Sequence, residues 1–399
     1  MYKLYCRSFQ RVMKVSTLFL PWREPQLLEG ENSLAELPRL IKREGIKTVL
    51  IVSDTGIVAT GLMDDFLEGL RKEGIKFVMY DKTVPNPTID NIEDALQLYK
   101  TNDCEGLVAF GGGSPIDCAK GVGARLARPN KTIPQMKGIL KVIKKMPPLF
   151  VVPTTAGTGS EATLACVVSN SETHEKYALM DTALIPHFAV LDPLLTVKLP
   201  KHITSTTGMD ALTHAVEAYI GKSNTKQTRQ WSTDAVKLIF ENLYEAYSNG
   251  LNIAARTNMQ KAAYLAGMAF TRAYVGNVHA IAHTLSGFYN MPHGLANAVI
   301  LPYVLDYYGE TVYEPLAELA DAAGVCASSD STSEKALKFI QAIKDLNGKM
   351  EIPVNVECII DSDIPLMAER AVQEANPLYP VPKILFKEDM DKLIRTIGA

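Results

Sequence analysis

The stretch GLVAFGGGSPID at residues 106–117 decides the fold. A short run of strand character leads directly into three glycines, and a helical pattern follows to about Leu126. Glycines let a backbone approach a ligand closely, and the N–H groups that open a helix attract phosphate. Ser114 reads as the cap of that helix, with Pro115 at its first position. Taken alone, the stretch suits a structural turn as well as a pyrophosphate site, because it lacks the G-x-G-x-x-G spacing.

Outward from it the same grammar repeats. Residues 48–53 (TVLIVS) read as a buried strand and 58–72 as the helix after it. Residues 76–80 (KFVMY) form a second strand, 89–100 a second helix, and 149–152 (LFVV) a fourth strand. Unbroken apolar runs alternating with helices indicate a parallel sheet covered on both faces, a doubly wound, Rossmann-like α/β domain. Beyond residue 199 strand-like runs almost vanish. Helical periodicity covers 205–219, 228–248, 254–270, 278–288, 295–308, 312–323, 333–346 and 363–375. Pro193 and Pro200 interrupt regular structure and mark the joint. The expected plan is an α/β domain over 1–198 and an all-helical domain over 199–399.

Composition narrows the function. The chain has 399 residues, 47% of them apolar, and its 41 basic against 44 acidic side chains leave a net charge of −3. No basic footprint for nucleic acid is expected, and no apolar run is long enough to span a membrane. Six scattered cysteines without a Cys-x-x-Cys pair fit neither a disulfide framework nor a thiolate zinc site. Residues 1–23 carry five basic side chains and no acid, a composition shared with transit peptides. They lack an apolar signal core and a small-residue cleavage site. The reading is an N-terminal extension entering a first strand near 15–20, in a cytoplasmic protein.

Two further features carry chemistry. PTTAGTGSE at 153–161 follows the fourth strand and packs four hydroxyls and two glycines into nine residues, suited to a nicotinamide or its ribose. Asp54 ends the first clear strand, where a carboxylate can accept hydrogen bonds from an adenosine ribose. In the helical half, Asp210 and His214 are four residues apart, as are His279 and His283, so each pair shares a helix face. His293 lies in a turn entering another helix. One carboxylate with several imidazoles suits a divalent transition metal.

GGGSPIDCAK (111–120), PTTAGTGSE (153–161), GMDALTHAVEAY (208–219) and VHAIAHTLSGFYNMPHGLANAVILP (278–302) together resemble the iron-containing, group III alcohol dehydrogenases. NPLYPVP at 376–382 fits the C-terminal region of that family. The resemblance implies a dehydroquinate synthase-like two-domain architecture, with Asp210, His214, His279 and His293 as metal ligands. It makes His283 a non-ligating histidine near substrate and nicotinamide. Gly112, Gly113, Ser114, Thr154, Thr155, Thr158 and Lys176 become cofactor contacts, and Asp54 the ribose-binding acid. One stretch departs from better-known members: 270–277 (FTRAYVGN) places Arg272 and Tyr274 where small or amide residues are commoner.

The implied reaction is hydride transfer between a primary alcohol or aldehyde and NAD(H), with NADP(H) disfavoured by Asp54. The resemblance implies Fe²⁺, and the same nitrogen-rich donors also bind Zn²⁺. Two other readings are a dehydroquinate synthase-like lyase or cyclase, and a dehydrogenase of the same family specific for hydroxy acids or semialdehydes. Expected partners are a small-molecule substrate and further copies of the chain, in a homodimer or larger homo-oligomer, with no nucleic acid and no membrane.

Overall fold

The strands of the first half are β1 (Gln26–Glu29), β2 (Thr48–Val52), β3 (Lys76–Tyr80), β4 (Gly106–Gly111), β5 (Gly138–Ile139), β6 (Leu149–Pro153), β7 (Ala165–Ser169), β8 (Lys176–Met180) and β9 (Phe188–Leu191). They come from a computed structural model that describes residues 1–171 and 176–399. Six of them form a wholly parallel sheet in the order β1-β9-β6-β4-β2-β3. From β2 the chain moves outward to β3, then returns past β2 to β4. The order therefore reverses between β2 and β4, and the crevice at their carboxyl ends is where open α/β sheets bind ligands.

Alternation along the strands explains their unbroken apolar runs. Leu50, Val52, Leu107 and Ala109 enter one buried cluster with Ile92 and Ile116. Val49, Ile51, Val108 and Phe110 enter the other with Leu37 and Phe66. Both faces of the sheet are covered by helices, so neither set of side chains is left to water.

Several expectations need correction. Residues 15–20 do not begin a strand, because Tyr2–Thr17 is a helix. Local β-branched preference at Val15 and Thr17 is overridden by tertiary anchoring. Arg7 donates to the carbonyls of Val381 and Pro382, and Gln10 to those of Pro377 and Tyr379. Residues Met1–Leu20 accordingly group with Leu199–Ala399, while Pro21–Lys198 forms the α/β unit by itself. The helix expected over 58–72 is two helices, Thr55–Ala59 and Asp64–Lys72, separated at Gly61, whose φ of +72° is left-handed. β1, β5, β7, β8 and β9 were not anticipated; β1, β5 and β9 have four residues or fewer, and β5, β7 and β8 form a separate small sheet.

In the helical unit, Lys201–Ile220, Lys226–Ser248 and Ile253–Ala273 pack on one another. Small side chains at Ala218, Ala269 and Ala273 form one shared cluster. The helices Asn277–Tyr289 and His293–Tyr308 follow, then Tyr313–Ala323, Thr332–Lys349, Ile364–Ala375 and the unanticipated Lys387–Gly398.

Candidate functional site

Three helices bring the expected metal-binding residues together. Asp210 and His214 lie on Lys201–Ile220, His279 on Asn277–Tyr289, and His293 opens His293–Tyr308. One ligand atom from each of the four lies within 4.8 Å of all the others. Asp210 Oδ1 is 3.6 Å from His293 Nε2 and 3.9 Å from His279 Nε2. Tetrahedral donors about 2.1 Å from a divalent cation stand roughly 3.4 Å apart, so these separations fit such an ion. Gly294 permits the approach: a Cβ there would lie 2.4 Å from the Thr206 carbonyl oxygen and 3.4 Å from Asp210 Cβ.

The four are oriented by residues that sequence reasoning missed. Buried Glu217 places Oε2 2.6 Å from His279 Nδ1 and also accepts the N–H groups of Gly276 and Val278, each at 2.8 Å. A proton shared at Nδ1 leaves the Nε2 lone pair facing the other ligands. Asn297, fully buried, donates Nδ2 to Asp210 Oδ1 at 2.7 Å and lies 3.1 Å from Nε2 of both His279 and His293. Phe270 stacks on His214 with ring centroids 4.1 Å apart. A signal existed for two of these. Glu217 falls seven residues after Asp210 and three after His214, and Asn297 falls four after His293, so each shares a helix face with ligands.

His283 stands apart from that set. Its ring stacks on His293 at 5.0 Å, and its Nδ1 lies 2.6 Å from Glu374 Oε1, which also accepts the Tyr379 hydroxyl at 2.8 Å. Burial beside that carboxylate raises the Tyr379 phenol well above its usual range, keeping it a donor. Tyr379 belongs to NPLYPVP, while Glu374 lies 91 residues from His283 with no local signal to mark it. Arg272 places its guanidinium 4.7 Å from the Trp231 ring centroid. Tyr274, with φ +68°, ends Ile253–Ala273 in a conformation unusual for a bulky residue, and burial raises its phenol to about 12.

In the α/β unit the expected cofactor residues converge at the β2/β4 crevice. Gly112, not Ser114, caps the helix Gly113–Ala127, and Ser114 and Pro115 fall inside its first turn. Ser114 Oγ instead accepts the Asn86 N–H at 3.2 Å, while the Asn86 amide oxygen accepts from Lys176 Nζ at 2.8 Å. Asn86, also missed, thereby links two expected contacts. A Cβ on Gly112 would lie 3.5 Å from Thr155, and one on Gly113 2.9 Å from Thr158, so the two loops touch. Thr154 joins them through its N–H to the Gly111 carbonyl at 3.0 Å, and its buried hydroxyl has no protein partner among the described residues. Asp54 caps Thr55–Ala59 through Oδ1, 2.9 Å from the Ile57 nitrogen, while Oδ2 faces Gly111. Helix cap and candidate ribose acceptor are thus two oxygens of one carboxylate.

A family model for iron-containing alcohol dehydrogenases matches residues 25–193, and one for the C-terminal region of the Fe-containing alcohol dehydrogenase family matches 204–398. The 1,3-propanediol dehydrogenase of Klebsiella pneumoniae is 40% identical over 351 residues, 87% of this chain and 90% of that protein. The NAD-dependent methanol dehydrogenase of Bacillus methanolicus is 33% identical over 383 residues, 96% of this chain and 99% of that protein. A crystal structure of 1,3-propanediol oxidoreductase has a TM-score of 0.91 at 37% identity, covering 95% of this chain and 100% of that one.

Proposed function

This chain belongs to the iron-containing alcohol dehydrogenase family and is a metal-dependent alcohol dehydrogenase, and from that premise we propose that it interconverts primary alcohols and aldehydes with NAD(H), through a metal held by Asp210, His214, His279 and His293. The observation that carries the reading is the convergence of four ligand atoms within 4.8 Å, brought together from Lys201–Ile220 and from the later pair Asn277–Tyr289 and His293–Tyr308. When bound, the metal supplies Lewis acidity toward the alcohol or aldehyde oxygen, and the nicotinamide carries the hydride. Iron follows from the family, and the donor set also suits zinc.

The protein's own part is orientation and proton handling. Glu217 and Asn297 hold the ligand set in register. With Nδ1 engaged by Glu374, His283 has Nε2 available to take the alcohol proton or return it. Gly112, Gly113, Ser114, Thr154, Thr155, Thr158 and Lys176 would hold the dinucleotide, with Asp54 as the acceptor for the adenosine ribose hydroxyls. NAD dependence of the methanol dehydrogenase relative supports the same choice of cofactor.

The lyase reading would need a cationic cluster for a phosphorylated substrate. The side chains shown around the ligand set are instead Glu217, Asn297 and Phe270, which favours the dehydrogenase. We further propose a cytoplasmic homo-oligomer. All six cysteines are unpaired, in keeping with a reducing compartment, and among the described residues no helix is long and apolar enough to cross a membrane. The test is a panel of primary alcohols and aldehydes with Fe²⁺ or Zn²⁺ added, followed by NADH absorbance. Turnover on members of the panel is expected, and none with either metal would defeat the reading.

A further inference from the structure

Lys120 is fully buried, and neither the hydride chemistry nor the metal centre uses it. Its three N–H groups are shared among four acceptors: Ser160 Oγ at 3.2 Å, Thr163 Oγ1 at 3.0 Å, and the carbonyls of Thr163 at 2.9 Å and Ala165 at 2.8 Å. One turn earlier on the same helix, Asp117 Oδ1 accepts from Ser160 Oγ at 2.8 Å and Oδ2 from the Val167 N–H at 3.1 Å. A buried ammonium is costly unless fully hydrogen-bonded, and an apolar side chain of similar volume often stabilises as well or better. Stability alone therefore gives no reason for a lysine here. What an apolar residue could not do is join two particular segments.

Those segments are the two cofactor loops. Asp117 and Lys120 belong to Gly113–Ala127, whose first turn continues the glycine run. Ser160, Thr163, Ala165 and Val167 continue directly from the loop holding Thr154, Thr155 and Thr158. We propose that Asp117 and Lys120 are positioning residues that lock these loops into one dinucleotide cradle, with Ser160 shared between them as the central link. The proposal rests on the reading of both loops as the NAD(H) site.

Burial lowers the Lys120 ammonium to about 8. The titratable groups facing it are Asp117, Glu161 and Cys166, each raised by burial. Raising the pH through that range discharges Nζ, weakens its hold on four acceptors and loosens the cradle.

NADH binding, followed by nicotinamide fluorescence, tests this in wild type, Lys120→Met and Ser160→Ala, with metal content and thermal melting measured alongside. Lys120→Met should raise the NADH Kd about tenfold, the scale of one charge-assisted hydrogen bond. Ser160→Ala should raise it by a smaller factor, and metal content should stay at the wild-type level in both. Wild-type affinity should weaken above about pH 8, and that alkaline limb should be missing in Lys120→Met. Either variant, folded and binding NADH as tightly as wild type, overturns the proposal; if Lys120→Met does not fold, Ser160→Ala decides it. Wild-type protein that binds no NADH at all would instead defeat the dinucleotide reading, and the clamp with it.

Discussion

Glu217 Oε2 lies 2.6 Å from His279 Nδ1, both side chains are buried, and the same carboxylate receives two backbone N–H groups at the start of the His279 helix. Glu217 therefore fixes both the ring and the turn that presents it. Such outer partners typically change metal affinity 10- to 100-fold, roughly, when removed. Glu217→Gln should lower affinity for Zn²⁺ or Fe²⁺ on that scale, and His279→Ala should lose the metal and turnover while the circular dichroism stays native. Elemental analysis decides, and a metal-replete, active His279→Ala protein would refute the ligand assignment.

His283 should behave differently. His283→Ala is expected to keep the metal while kcat falls by roughly 10²- to 10⁴-fold, the usual contribution of a general acid–base group. Glu374→Gln should retain metal too and move the pH–rate profile, because it changes the partner of Nδ1 without touching Nε2. Metal loss in His283→Ala would show that His283 and His279 have exchanged roles.

Asp54 should set the cofactor preference. A carboxylate facing Gly111 accepts ribose hydroxyls but repels a 2′-phosphate, so wild type should favour NAD(H) over NADP(H). Asp54→Gly should narrow the gap, and glycine in place of a capping acid costs only a few tenths of a kcal/mol, roughly, in helix stability. The comparison is kcat/KM with each cofactor for both proteins, and an unchanged ratio would remove Asp54 from the ribose site.

Arg272 stacks on Trp231, which favours an anchoring role over recognition of a substrate anion. Arg272→Ala should therefore reduce kcat/KM by similar factors on butanol and on a hydroxy acid or semialdehyde. A KM rise confined to the charged substrates would reverse that assignment.

Acid should weaken the fold through His187. Its Nδ1 accepts the Leu149 N–H at 3.1 Å, and burial, with Arg23 nearby, lowers it to about 4 from an ordinary 6.5. The unfolded chain binds this proton first, so the contribution is present above about pH 6.5 and is lost as pH falls through about 4. Linkage puts it at up to about 3 kcal/mol. Urea unfolding at pH 7 and pH 4.5 should show a smaller acid loss for His187→Asn than for wild type, and equal slopes would exclude His187 as a source.

The sequence by itself determined the elements whose signal is local. β3 is read to the residue, and β2 and β4 to within one, because runs such as TVLIVS and GLVAF are apolar on both faces, as only a strand covered on two sides requires. The helix faces carrying Asp210 with His214, and His279 with His283, follow from a spacing of four at 3.6 residues per turn. The N-terminal helix was misread because what holds it is distant: carbonyls at 377–382 capture Arg7 and Gln10, and local preference cannot report a partner some 370 residues away. Gly112 rather than Ser114 is the cap because its backbone already adopts the extended conformation that precedes the helix, two residues earlier. Only the tertiary structure decided that Glu217 meets His279, that Glu374 meets His283, and that Lys120 meets Ser160 and Thr163. Each of these is a buried polar contact across long sequence separation. Periodicity records which side chains leave water, but only packing decides which donor each buried acceptor finds.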